Sequence, residues 1–163
     1  MEESGFLWDK LVFRGINSIN MDTKGRFAMP TRYRDALQNT ADGQLVVTID
    51  TEASCLLLYP FPEWEVIEQK IEALPSFNKA ARRIQRLLIG HATELELDNS
   101  GRVLIPPLLR EYAEIEKRMM LVGQGKKFEL WSETLWTESR NLWLEAEASS
   151  GGELPNELQE ISL

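Results

Sequence analysis

Short apolar runs alternate with polar turns along the chain, and one such alternation occurs twice. Around 22–25 and again around 98–101, an Asp, two polar residues and a Gly separate apolar segments of strand length. The Asp carboxylate can accept hydrogen bonds from nearby backbone N–H groups, and Gly takes a positive φ without a Cβ clash. Each copy is therefore predicted to be a β-hairpin, with its outgoing strand at 27–29 or 103–105.

Helical segments follow the predicted hairpins. Pro30 and Pro106 end the outgoing strands, because proline has no N–H to donate to a strand ladder, and 31–37 and 107–112 then predict one or two helical turns. Apolar spacing predicts four further elements, which are helices over 63–74, 78–88 and 133–148 and a strand over 119–122. These elements together indicate a mainly β fold with peripheral helices.

The doubled alternation is part of a longer internal repeat. DTKGRFAMPTRYR beginning at Asp22 and DNSGRVLIPPLLR beginning at Asp98 share Asp, Gly, Arg, Pro and a second Arg in identical register. Such self-similarity predicts two copies of one structural module. The expected organisation has four parts, which are an N-terminal extension at 1–11, a first repeat with helices at 12–90, a second repeat with a helix at 91–148, and an acidic flexible tail at 149–163.

Charge is distributed unevenly along the chain. The net charge of −8 arises from the acidic ends, at 1–11 and 132–163, while the residues between them are neutral overall. Within that neutral part, 22–34 carries +3, and local charge governs the attraction of phosphate. A second basic cluster, on the helix predicted at 78–88, consists of Lys79, Arg82, Arg83 and Arg86. This cluster is either an ordinary solvated face or a second contact surface, and both interpretations stay open.

The composition disfavours membrane proteins and enzymes. The longest apolar stretch, 55–59, is too short to span a bilayer, and the acidic N-terminus lacks the basic start of a signal peptide, so a cytoplasmic protein is expected. Cys55 lies in a leucine run and is predicted to be a buried small hydrophobe. The chain has one histidine, His91, and neither a P-loop nor a nucleophile elbow. We therefore expect no catalytic site, no metal, no cofactor and no small-molecule substrate.

Four segments of the chain carry a specific combination of motifs: VFRGINSINMDTKGRFAMPTRYRDAL, CLLLYPFPEWE, RRIQRLLIGHA and DNSGRVLIPPLLR. Together they resemble the MraZ family of bacterial transcriptional regulators, which is grouped with AbrB-like DNA-binding proteins. The resemblance implies a duplicated β-barrel with swapped hairpins and pseudo-two-fold symmetry, and a ring-shaped homo-oligomer associated with the nucleoid. It also implies repression of the division and cell-wall gene cluster through repeated motifs in its promoter. Family members usually begin with Met-Phe-Arg-Gly, and this chain has Val12 at the position of that Met, so 1–11 is expected to be a misassigned start.

The D-x-x-x-R element of the family falls on Asp22 and Arg26 in the first copy and on Asp98 and Arg102 in the second. Because Arg26 follows a tight turn, its guanidinium can bridge a phosphate or read guanine in the major groove, whereas the two Asp residues are expected to hold the turns. In the alternative reading, the Asp–Arg pair is only a salt bridge that closes the turn. That alternative stays open, above all for the second copy.

The candidate site contains six DNA-binding residues and four turn residues. The DNA-binding candidates are Arg14, Lys24, Arg26, Arg32, Arg34 and Arg102. The turn candidates are Asp22, Gly25, Asp98 and Gly101. The first repeat is expected to dominate, since 22–34 carries +3 and 98–110 carries +1, and Arg102 is expected mainly to support folding or assembly. The alternative function is an antitoxin-like or other protein-interaction module, which salt-dependent binding to duplex DNA would separate from a regulator.

Overall fold

The computed structural model describes residues 12–149 and 155–161. The predicted extension at 1–11 lies outside the described residues, as does part of the predicted tail. Contacts divide the chain into two compact units, with the division after Glu133 in the sequence, and each unit is described by itself. Within the described ranges, no helix is long and apolar enough to cross a membrane.

The larger unit is built on a six-stranded antiparallel sheet. Its strands are β1 (Phe13–Asn20), β3 (Gln44–Ile49), β4 (Leu56–Pro60), β5 (Thr93–Glu96), β7 (Arg118–Gly125) and β8 (Phe128–Ser132). Across the sheet they lie in the order β1-β7-β8-β4-β3-β5. The expectation of a mainly β fold with helices is confirmed. Among the described strands no pairing joins β1 to β5, so the strand order does not close the sheet into the expected barrel.

Two short strands, β2 (Arg26–Ala28) and β6 (Arg102–Leu104), form a separate antiparallel ribbon. They come from different repeats, and Phe27 lies opposite Val103, which is its own counterpart in the other copy. Both side chains are buried in the core. The ribbon therefore places the two repeats in symmetric register.

The prediction of a hairpin within each repeat is wrong. The strands that precede the two turns do not pair with the strands that follow them, because β1 pairs with β7 and β5 pairs with β3. A tight turn only reverses the chain direction. The ladder partner is chosen by where a strand can bury its apolar face, and for β2 and β6 that partner is the strand of the other repeat.

Helices cover the larger unit where the prolines and apolar spacing predict them. They are α1 (Thr31–Ala41), α2 (Phe61–Glu72), α3 (Lys79–Ile84) and α4 (Pro107–Tyr112). Pro30 and Pro106 are the N-cap residues of α1 and α4, and α4 has the bounds predicted for it. Asn78 caps α3, since its Oδ1 accepts hydrogen bonds from the backbone N–H groups of Ala80 and Ala81. A π-helical turn, Gln85–Ile89, continues α3 toward β5.

The main hydrophobic core joins the sheet, the ribbon and α1. The rings of Phe13, Tyr33 and Phe128 contact one another, with centroids 4.3 to 5.8 Å apart. A smaller cluster around Tyr59 and Trp64 fixes α2 against the sheet. Burying large side chains from every one of these elements holds the short ribbon in place, because three ladder pairs alone would not.

The second unit contains α5 (Glu133–Ser149), which begins at the last residue of the larger unit, and a single helical turn, α6 (Asn156–Gln159). The apolar stripe predicted for α5 is largely exposed at Leu142 and Trp143. The rings of Trp136 and Trp143 meet edge to face, with centroids 5.9 Å apart.

Candidate nucleic-acid interface

The first turn, defined as residues 22–26, is held by one carboxylate. Asp22 Oδ1 accepts hydrogen bonds from the backbone N–H groups of Lys24 and Arg26, both at 2.9 Å. Asp22 Oδ2 accepts a hydrogen bond from Arg26 Nε at 3.0 Å. Gly25 occupies the left-handed region at φ +87°, which a side chain would disfavour. The turn is therefore rigid, and Lys24 is exposed near its tip.

The second turn, defined as residues 98–102, repeats this geometry. Asp98 Oδ1 accepts from the backbone N–H groups of Ser100 and Arg102 at 2.9 and 2.8 Å, and Oδ2 accepts from Arg102 Nε at 3.0 Å. Gly101 has φ +74°. The expectation that Gly25 and Gly101 take a positive φ and that each Asp holds its turn agrees with this geometry. The salt bridge that the sequence left open as an alternative is present in both copies.

The same hydrogen bonds shift the acidity of both carboxyl groups. The backbone N–H of Arg26 holds the pKa of Asp22 below its ordinary value, and the backbone N–H of Arg102 does the same for Asp98. Both carboxylates, which are ionised at neutral pH even at their ordinary pKa of 3.8, therefore stay ionised further into the acid range. An ionised carboxylate is the better acceptor, so the ordinary pH range favours the closed turns.

The salt bridge uses only part of the hydrogen-bonding capacity of each arginine. Only Nε of Arg26 and of Arg102 is engaged by the facing Asp, and within the described ranges the terminal Nη groups make no hydrogen bond. The side chains retain 27% and 37% of their exposure. Each guanidinium is thus oriented by its carboxylate and still has donors available for a ligand.

Both arginines lie on one face of the β2–β6 ribbon. Since side chains alternate along a strand, the buried Phe27 and Val103 leave the residues on either side of them on the opposite face. We call this the outer ribbon face, and its members are Arg26, Ala28, Arg102 and Leu104. From strand geometry, the Cα atoms of Arg26 and Arg102 are about 8 Å apart. The structure thus brings together the two arginines of the repeated motif, which lie far apart in the sequence.

Arg34 does not join the first turn, although the sequence placed it in the same basic cluster. Its guanidinium lies against Gly101 of the second turn, and its Nη2 donates to the Met29 carbonyl at 3.0 Å. Arg110, its counterpart in the second repeat, lies against Gly25 of the first turn. Sequence reasoning did not select Arg110 as a candidate, but its alignment with Arg34 in the repeat was an available signal.

Arg32 and Arg14 lie elsewhere, along β1. Arg32 Nη2 donates to the Tyr33 hydroxyl at 2.6 Å, and the guanidinium stacks over the Tyr33 ring at 4.5 Å. The Arg14 carbonyl accepts a hydrogen bond from the same Tyr33 hydroxyl, and the Arg14 side chain is exposed. Arg14 is near the start of β1, about 20 Å from the end of the strand that leads into the first turn. The structure thus disperses the predicted basic cluster, and DNA contacts for Arg14 and Arg32 stay predictions.

A second cationic surface lies on α3 and the π-helical turn. Lys79, Arg82, Arg83 and Arg86 are exposed and, with Leu87, line an open groove of about 490 Å³. Their spacing places all four on one helical face. Within the described residues none of the four forms an ion pair, so the surface keeps its full positive charge.

Cys55 is fully buried, which confirms its prediction as a buried side chain. Its thiol donates to Asp50 Oδ2 at 3.6 Å, and Glu129 lies in the same small group. Burial, followed by the charges of Glu129 and Asp50, raises the pKa of the Cys55 thiol. The thiol therefore stays protonated at neutral pH, the form in which cysteine is neither a strong nucleophile nor a good metal ligand.

Comparison with known proteins gives the family. The family model named MraZ protein, which is described as antitoxin-like, matches the chain twice, over residues 12–87 and 88–149, and this confirms the internal repeat. A protein named transcriptional regulator MraZ from Coxiella burnetii (strain Dugway 5J108-111) is 61% identical over 152 residues, which is 93% of this chain and the whole of the relative. Proteins of the same name from Legionella pneumophila (strain Corby) and Halorhodospira halophila (strain DSM 244 / SL1) are 57% and 53% identical over the same shares of each chain. The chain belongs to the MraZ family.

Proposed function

We propose that this protein is a transcriptional regulator that binds double-stranded promoter DNA through the outer ribbon face. The observation that carries the proposal is the placement of Arg26 and Arg102 on one face of a two-stranded ribbon, each with its Nη groups available. A two-stranded ribbon fits into a major groove, which is about 12 Å wide. The spacing of about 8 Å between the two Cα atoms allows both arginines to enter the same groove.

The side chains of the outer ribbon face are suited to binding nucleic acid rather than to catalysis. An Arg guanidinium held by a carboxylate at Nε presents its remaining donors to a phosphate or to O6 and N7 of guanine. Leu104 and Ala28, which lie opposite Arg26 and Arg102 on the outer ribbon face, offer apolar contact to a thymine methyl group. The Asp residues are directed into their own turns, so their charge is compensated where it would otherwise repel phosphate.

Tight DNA binding requires several protomers, because one ribbon carries few positively charged side chains. One protomer presents a few positive charges to DNA, and this neutralises too few phosphates for tight binding at physiological salt. We propose that a ring-shaped homo-oligomer on the nucleoid presents several ribbons to repeated promoter motifs, so that the contacts add through multivalency. The family resemblance further supports repression of the protein's own division and cell-wall gene cluster.

A mobility shift with the DNA immediately upstream of the protein's own gene tests this function. We expect a retarded complex whose affinity falls steeply as salt rises, and which prefers a promoter fragment with three motif repeats to a fragment with one. A scrambled fragment of equal length is the control. Equal affinity for operator and scrambled DNA at every salt concentration would contradict sequence-specific regulation.

The protein-interaction alternative makes a different prediction in the same experiment. The family description as antitoxin-like favours it, and an interaction module would bind its partner with no salt-dependent affinity for duplex DNA. Absence of any DNA complex at low salt, together with an intact fold, would favour that alternative.

A further inference from the structure

Each turn of the candidate interface is completed by the opposite repeat. The backbone shows this first, because Met29 N–H donates to the Gly101 carbonyl and Ile105 N–H donates to the Gly25 carbonyl, both at 2.9 Å. The strand after one turn therefore holds the glycine of the other turn. Each repeat thus holds the turn glycine of the other.

The arginine side chains make the same reciprocal contacts between the repeats. A Cβ on Gly25 would lie 2.7 Å from Arg110 Cζ and 3.0 Å from both its Nε and Nη1, so the guanidinium plane covers the glycine almost evenly. A Cβ on Gly101 would lie 2.0 Å from Arg34 Nε and 2.3 Å from its Cζ. Both glycines are buried beneath these side chains. Glycine in each turn thus leaves room for the guanidinium of the other repeat, in addition to taking a positive φ.

The packing of the two arginines over the glycines buries an N–H group of each guanidinium. Nε of Arg34 and Nε of Arg110 are buried, and neither has a hydrogen-bond partner among residues 12–149 and 155–161. Burying an N–H without a partner is unfavourable, and a structure that retains two such groups in equivalent places needs a reason for them. Covering the glycine of a ligand-binding turn supplies that reason, because the guanidinium restricts the turn and carries positive charge to its base.

We propose that each DNA-binding turn is a composite of both repeats, in which Arg110 positions the first turn and Arg34 positions the second. The proposal rests on the proposed function, since it assigns positioning residues to the same interface. Its consequence is a new distribution of charge. The first turn carries Lys24, Arg26 and Arg110 against Asp22, a net +2, and the second carries Arg102 and Arg34 against Asp98, a net +1.

Hydrogen exchange measured by mass spectrometry tests the pairing directly, and it does not require DNA. Met retains much of the length of Arg but has no guanidinium, so Arg110→Met should accelerate exchange in peptides that cover 22–28 and leave those that cover 98–104 unchanged. Arg34→Met should give the reverse pattern. Arg32→Met is the matched control and should change neither turn, because Arg32 packs on Tyr33. Equal changes in both turns, or changes in the residue's own repeat, would overturn the pairing.

Double-mutant cycles on operator DNA test the functional part. Arg110→Met should weaken binding about tenfold, as expected when one contact of middle strength is lost. In an Arg26→Ala background the further loss should be less than about twofold, whereas in an Arg102→Ala background the full loss should remain, since only residues that act through one site are non-additive. Thermal midpoint and oligomer size serve as controls for folding.

The outcomes separate the two proposals. If the unmodified protein fails to bind operator DNA, the proposed function fails, and the exchange experiment still decides whether the turns are composite. If binding is normal but Arg110→Met is additive with Arg26→Ala and non-additive with Arg102→Ala, the composite assignment is overturned. Arg110→Lys supplies a last check, because it keeps the charge and should preserve the salt dependence while losing the exchange protection at 22–28.

Discussion

The two turns share one skeleton and differ in the charges attached to it. In both, an Asp accepts two backbone N–H groups and one Nε, and a buried Gly lies beneath an arginine of the other repeat. The first turn then has Lys24 where the second has Ser100. The arginines also differ, because Arg110 lies flat over Gly25 whereas Arg34 reaches past Gly101 to the Met29 carbonyl.

This comparison separates shape from charge. The Asp, Gly and Arg of the motif fix the backbone of the turn, and they are the residues the two copies have in common. The positions between them are exposed and free to vary, so one copy can gain a phosphate contact without altering its fold. The difference between +2 and +1 is smaller than the difference between +3 and +1 that the linear sequence indicates, because Arg32 and Arg34 leave the first turn and Arg110 joins it.

Alanine at the turn glycines should have the largest effect. Gly101→Ala should lower the free energy of unfolding by about 3 kcal/mol and Gly25→Ala by about 2 kcal/mol, because strain at positive φ adds to overlap with Arg34 or Arg110. Gly125→Ala is the matched control, since Gly125 has φ +79° but a Cβ added there would meet no atom of the described residues within 4 Å, and it should cost only about 1 kcal/mol. Denaturant unfolding measures all three. Three equal values would show that the arginines do not restrict the turns.

Removal of either arginine of the outer ribbon face should have the second-largest effect. Arg26→Ala should weaken operator binding by about 1 to 3 kcal/mol per engaged site, and Arg102→Ala by an amount in the lower part of that range. Titration by fluorescence anisotropy, with oligomer size and thermal midpoint measured in parallel, gives the comparison. Loss of binding in Arg102→Ala with Arg26→Ala unaffected would reverse the expected order.

Swapping Lys24 and Ser100, the exposed residues that differ between the two turns, should alter only the charge of each turn. Lys24→Ser should reduce the salt slope of binding by about one, and Ser100→Lys should raise it by about one, since each position adds or removes one phosphate contact. The double exchange should restore the original slope. A double exchange that differs strongly from the unmodified protein would mean that the two turns do not meet DNA equivalently.

Acid should have the smallest effect, and it should act on both turns alike. Because the folded state lowers the pKa of Asp22 and of Asp98, their stabilising contribution is fully present above the ordinary pKa of 3.8 and is lost as the pH falls through the lowered folded value. Asp22→Asn and Asp98→Asn variants should show a thermal midpoint that depends less on pH between about pH 5 and pH 2. Unchanged pH dependence in both variants would contradict the role of these carboxylates.

Local features of the fold were predictable because they depend on neighbouring residues. The turns at Asp22 and Asp98 and the helix starts after Pro30 and Pro106 follow from side-chain hydrogen bonding and from proline geometry within a few positions. These features appear in the structure. The capped helix that begins after Asn78 belongs to the same class.

Long-range pairing was not predictable in the same way. Nothing local to Phe27 indicates that its partner is Val103, so the hairpin assignment failed. The bounds of β3, which lies between β4 and the edge strand β5, were not predicted either. The assignment of Arg34 to the first turn was wrong for a related reason. Its charge counts toward the first turn in the sequence, and only the crossing of the two repeats carries it to Gly101.

The ribbon also sets an order of events during synthesis. β2 is made early, but its ladder partner begins only at Arg102, and the arginine that covers Gly25 follows at position 110. Closing a loop of this length must precede any stabilisation from the pairing, and such non-local contacts form slowly. A nascent chain therefore has no outer ribbon face until most of its residues have left the ribosome, so a protein terminated before β6 would have Arg26 but no surface on which to present it.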